Sequence, residues 1–163
     1  MAVLKLSFDD LNNDEAFTLI AIHCILDNYR LAYLLNKHLK TAFVKDQSDV
    51  INIKLNTNYA LFEYLDTNEE ITYNLVENRC KVITKKVKTN ATSLFSEEDH
   101  TNETTHYLIP EHKKAGYFLK IDTEFTNKRT QDFINKILEI PQVITAYYVN
   151  AENLKSKNNL IFY

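Results

Sequence analysis

The chain has 163 residues, 45% of them apolar and 25% charged, with a formal net charge of −3. That length suits one domain with a sizeable core, and the slight acidic balance argues against a general nucleic-acid or anionic-membrane binder, which would carry a basic excess. A single glycine excludes glycine-rich phosphate cradles and the GxSxG nucleophile elbow.

Cys24 and Cys80 make no disulfide framework. The amino-terminal residues lack the pattern of a secretory leader, and no window is long and apolar enough to span a membrane, so a cytoplasmic protein is expected. Ala2–Phe8 alternates Leu4, Leu6 and Phe8 with Val3, Lys5 and Ser7, which predicts a strand, and Asp9–Asp14 predicts a turn. The run Phe17–Leu26 has no polar face, so a buried strand over 17–24 is expected rather than a surface helix. Helical spacing begins after Asp27, with Leu31, Leu34, Leu35 and Leu39 on one side. This predicts a helix over 28–40 with Asp27 as its N-cap; one continuous helix over 14–40 is the alternative.

Val50–Leu55, Tyr59–Leu65, Glu70–Val76 and Cys80–Lys86 read as strands separated by short breaks, which predicts an antiparallel meander. Val87–Thr105 carries too little apolar surface to offset ordering, so a mobile loop is expected there. Tyr107–Asp122 holds Pro110 and Gly116, the only glycine. A strand ending at Ile109, a turn over 110–116 and a strand over 117–122 follow, with Gly116 supplying positive φ. Asn127–Leu138 has helical spacing of Phe133, Ile134, Ile137 and Leu138, Pro141 breaks it, and Val143–Val149 is strand-like. Strand, helix, strand with short links predicts a crossover with parallel pairing. The apolar end of the tail Leu154–Phe162 needs a surface, most simply the protein's own sheet. The expected class is α+β: one domain over 1–163, a mostly antiparallel sheet with two helices packed on it, and a ferredoxin-like C-terminal βαβ unit.

Chemistry is sparse. His100, His106 and His112 recur at intervals of six, which fits no zinc-ligand spacing. His23 and Cys24 are neighbours on a strand and point to opposite faces, so they form no nucleophile–base pair. Glu111, beside Pro110, sits where a general base or a cap for local amides could sit, with Lys113 and Lys114 as ion-pair partners. Lysines 85, 86, 88, 113, 114, 155 and 157, interleaved with Tyr107, Tyr117, Tyr147 and Tyr148, have the composition of a single-strand RNA surface, although no RRM signature occurs.

Tyr107-Leu-Ile-Pro-Glu-His-Lys-Lys-Ala-Gly-Tyr-Phe-Leu-Lys-Ile121 resembles the motif of the bacterial IPExxxVDY family. Asp27–Asn36, Ile140–Tyr147 and Leu154–Phe162 are similar to that family as well, so the resemblance runs nearly end to end. Ala115 and Gly116 stand where its motif has Val and Asp. The resemblance implies a bacterial cytoplasmic protein and carries no active site. The functional expectation is a non-catalytic module that binds another protein, through Pro110, Glu111, Gly116, Tyr117, Lys155 and Lys157. No cofactor, metal or membrane is expected; a small-ligand sensor or an RNA-associated factor is the alternative.

Overall fold

A computed structural model describes residues 16–85 and 101–162. The strand and turn expected over 2–14 lie outside them, as does 87–100 of the expected loop. In chain order the described elements are β1 (Thr18–Cys24), α1 (Asn28–Leu39), β2 (Val44–Lys45), β3 (Val50–Asn52), β4 (Thr57–Tyr59), β5 (Leu61–Asp66), β6 (Ile71–Glu77), β7 (Arg79–Lys85), β8 (Thr101–Tyr107), β9 (Tyr117–Ile121), α2 (Asn127–Leu138) and β10 (Val143–Val149). Short 3₁₀ turns occupy Pro110–His112, Ala151–Asn153 and Lys157–Leu160.

The main sheet runs β10-β1-β9-β6-β5-β2, and every neighbouring pair is antiparallel. This corrects the expected parallel pairing of the C-terminal unit. β9 and β10 do run the same way, but β1 lies between them, with Ala21 opposite both Tyr147 and Phe118. A helical crossover leaves a slot one strand wide, and β1, buried along almost its whole length, fills it. β1 and β6 flank β9 in the same manner. Two interleaved strand–helix–strand units of this order are the ferredoxin-like arrangement, and the fold is α+β, with two helices on a mostly antiparallel sheet.

β1 is buried on both faces, which is why 17–24 shows no polar side. Ile20, Ile22 and Cys24 pack in one layer with Leu31 and Leu35 of α1 and Ile134 and Ile137 of α2. Leu19 and Ala21 pack in the other with Leu61, Val76 and Phe118 from neighbouring strands. The continuous helix over 14–40 is thereby excluded for its described part. Asp27 stands at the N-cap of α1, its carbonyl accepting the first helical bond from the Leu31 amide at 2.9 Å, but its side chain makes no cap bond. Thr126 does cap α2, its hydroxyl oxygen accepting from the Arg129 amide at 3.3 Å.

The expected meander holds only in two pieces. β3 pairs with β4 as a separate hairpin, and β5 pairs with β6 within the main sheet. β7 leaves that sheet and pairs with β8, so Thr101–Thr105 is strand and not loop. Its Thr-rich sequence carries little apolar surface because the strand is almost wholly exposed, while β-branched Thr still favours extended backbone.

Candidate interaction face

Two later segments cover much of the sheet face away from the helices. The stretch 108–116 contributes Leu108, Ile109 and Ala115, and the tail contributes Ala151, Leu154 and Leu160, all buried over Leu19, Phe118 and Val76. Burying side chains such as Leu154 and Leu160 stabilises this layer by about 1.5–3 kcal/mol each before ordering costs. The tail therefore docks on the protein's own sheet, as expected.

Polar contacts fix the layer in place. Asn78, fully buried just after β6, is its hub. Its side-chain amide donates to the carbonyls of His112 at 3.0 Å and Ala115 at 2.9 Å, and its side-chain oxygen accepts from the Ile109 amide at 2.8 Å. Its backbone amide donates to Gly116 at 2.8 Å, and its carbonyl accepts from Leu108 at 2.9 Å. An asparagine with both side-chain groups and both backbone groups bonded inside the protein satisfies a turn that could not otherwise be buried. These bonds also turn the chain out of the sheet between β6 and β7. Sequence reading placed Asn78 in a hairpin break; an Asn directly after a buried strand is a signal too general to single it out.

Each residue expected at the site has a structural position. Pro110 is exposed at the start of its 3₁₀ turn, where a missing amide is harmless. Glu111 is also exposed, and its carboxylate reaches the tail: the Ser156 amide donates to Oε1 at 2.9 Å and the Ser156 hydroxyl donates to Oε2. Those bonds hold its carboxyl below the ordinary range, the hydroxyl having the largest effect. Glu111 is thus a clasp between turn and tail. Neighbouring His112 uses Nδ1 on the Tyr147 hydroxyl at 2.9 Å, so the two residues engage different partners and form no acid–base pair.

Gly116 has no positive φ, contrary to expectation. A Cβ there would lie 3.4 Å from the Arg79 guanidinium and 3.6 Å from the Cys24 carbonyl, ordinary contact distances. Positive φ falls instead on Lys40, Asn56 and Glu70. Tyr117 is buried on the helix side, its hydroxyl donating to the Leu26 carbonyl at 2.7 Å. Burial, and then the charge of Glu77, push that hydroxyl well above the usual tyrosine range. Glu77 is itself pushed up, chiefly by burial, with Asn28 donating weakly to its carboxylate at 3.5 Å. Lys155 is exposed on the tail, and Lys157 lines a cavity at the amino end of α2. The six residues are therefore not one surface: Tyr117 and Gly116 are interior, while Pro110, Glu111 and Lys155 share the turn-and-tail layer.

Beside that layer runs an apolar groove of about 720 Å³. Its walls are the β3–β4 hairpin over 50–55, the stretch from Tyr107 to Pro110, and Ile161 and Phe162 of the tail. Ile51, Ile53 and Leu55 on the hairpin are 65%, 89% and 48% exposed, and no described residue covers them. The hairpin is braced from behind. Asp49 pairs with Lys45 and accepts from the Asn58 side chain at 2.9 Å, and Tyr59 is buried beneath it. A second cavity of about 790 Å³ at the amino end of α2 is polar, with Glu124, Asn127, Glu152 and Lys157 among its residues.

Among the described residues, no group of three or more His, Cys, Asp or Glu is placed to hold a metal ion. Cys24 and Cys80 are free thiols, with burial pushing the Cys24 thiol up. No described helix is long and apolar enough to cross a membrane. No family model matches the chain, and neither a curated protein nor a solved structure resembles it significantly.

Proposed function

We propose that this chain is a non-catalytic protein-interaction module of the bacterial cytoplasm, and that its groove takes an apolar peptide segment of another protein. One observation carries the reading: three large aliphatic side chains stand exposed in a row on a braced hairpin, over a groove nearly free of charged residues. No described residue covers these side chains, and an exposed apolar patch of this kind marks a binding surface. The polar groups nearby favour binding over chemistry. Asn78, Glu111, His112, Ser156 and Asn159 are spent on turn and tail, Asn159 donating to the Leu108 carbonyl at 2.8 Å. The resemblance to the IPExxxVDY family and the absence of a disulfide between the two cysteines support the bacterial, cytoplasmic part of the reading. A fitting segment carries two or more Leu, Ile or Phe anchors and meets the Asn-rich rim at Asn52 and Asn158.

The test is a displayed random-peptide selection against the full chain. It should enrich uncharged, apolar-anchored peptides, whose binding weakens at least about tenfold in Ile53→Asp and is unchanged in Glu152→Gln. Enrichment of nothing, or equal binding by Ile53→Asp, contradicts the proposal. A second reading, a small-ligand sensor, is favoured by the polar cavity beside α2, where Glu124, Glu152 and Lys157 offer charge to a small polar molecule. Among the described residues, the RNA reading has Lys113 over the Tyr107 ring, at 5.8 Å, in its favour.

A further inference from the structure

The apolar groove lies close to where the chain enters β1. Phe17, the residue before that strand, packs in the same layer as Val50 and Phe162, and both of those line the groove. The Phe17 and Phe162 rings also flank one ammonium group, that of Lys120, at 5.1 and 5.3 Å. Residues 1–15 precede Ala16, the first described residue, and so set out from beside the tail-side wall of the groove. Their sequence meets the requirement for a groove ligand, two or more Leu, Ile or Phe anchors. In Ala2–Phe8, Leu4, Leu6 and Phe8 alternate with Val3, Lys5 and Ser7, so an extended chain turns all three anchors to one side. We propose that Ala2–Phe8 occupies the groove in cis, its anchors over Ile51, Ile53 and Leu55, and that a partner peptide enters by displacing it.

The connection is long enough. Asp9–Glu15 links Phe8 to Ala16, and extended chain covers about 3.3–3.6 Å per residue, which gives Phe8 a reach of about 25 Å. That link is rich in Asp and Asn and asks for no apolar cover of its own. Charge fits as well. Asp9 and Asp10 follow the apolar stretch directly, and Lys54 stands exposed on the hairpin wall, whereas Asp49 on that wall is already paired with Lys45. A tether of this length holds the segment at an effective concentration in the millimolar range, so a weak match keeps the groove filled most of the time. Partners with tighter segments then bind, and weak ones are excluded. This regulation rests on the groove being a site for apolar segments, and it supplies what covers the hairpin when no partner is bound.

Hydrogen exchange of the full chain alone tests it, comparing the wild type with Leu4→Asp, Leu6→Asp and Phe8→Asp combined. Amides over 50–55 should exchange at least about threefold faster in the triple variant. Those of β1 and β9 should be unchanged, which shows that the variant folds. Leu4→Ile with Leu6→Ile keeps the anchors and should behave as wild type. With Ile53→Asp in place, the triple change should make no further difference over 50–55. Equal exchange over 50–55 in wild type and triple variant overturns the proposal. So does a difference confined to 143–149 or to 124–131, which assigns the segment to the β10 edge or to the polar cavity. The displayed-peptide selection separates the two readings. Equal exchange with peptides still bound through Ile53 leaves the groove to partners alone. Faster exchange in the triple variant with no peptide enriched keeps the cis contact and removes the interaction reading.

Discussion

At the level of single residues, several polar side chains hold the turn and the tail on the sheet. Asn78 is the clearest case, because removing it strands the Ala115 carbonyl and the Ile109 amide in the interior and leaves the His112 carbonyl with only the Ala115 amide. Asn78→Ala should cost roughly 3–5 kcal/mol in urea unfolding and lower Tm by about 10 °C. Asn78→Asp, which keeps an acceptor for Ile109 but loses both donated bonds, should be no better. Glu77 gives a pH signature. Burial raises its folded-state pKa above the ordinary value, so folding favours its protonated form. Its contribution is most favourable below the ordinary carboxyl range and is lost as pH rises through the raised folded value. Glu77→Gln should flatten that part of the stability–pH curve. Glu111 has the opposite sign: its bonds to Ser156 are fully present above the ordinary carboxyl range and are lost as pH falls through the depressed folded value. That contribution is small, because the carboxylate is exposed and screened.

Among the elements, local pattern served well where one face of a segment is buried. Helical spacing alone delimits α2 at Asn127–Leu138, and Pro141 with the apolar run behind it delimits β10 at Val143–Val149. β8 escaped because its sequence reports exposure, and exposure in a long polar stretch looks the same for a strand and a loop. Turn chemistry escaped in part because the lone glycine drew attention to Gly116, while the left-handed positions went to Lys40, Asn56 and Glu70. Lys40 ends α1 with φ of 56°, the conformation glycine adopts without penalty. Lys40→Gly should therefore stabilise the fold by about 0.5–1 kcal/mol, read as a higher urea midpoint at unchanged slope.

For the molecule as a whole, the class of fold was legible and its strand order was not. Short-range rules placed β9, α2 and β10 together, but nothing local to them names the strand between them. That strand is β1, and only its lack of a polar side hinted at a place with cover on both faces. The same long-range logic hides the site. Glu111 and Ser156 are forty-five positions apart, and Asn78 and Ala115 thirty-seven, so the turn-and-tail layer exists only once the sheet has formed. The groove is a product of that layer and the β3–β4 hairpin, and it is the proposed peptide site. Hydrogen exchange with and without a selected apolar peptide tests this most directly. Protection is expected over 50–55, 107–110 and 158–162, with α2 unchanged. Protection over 124–131 and 148–152, with the hairpin unchanged, would contradict it and transfer function to the polar cavity.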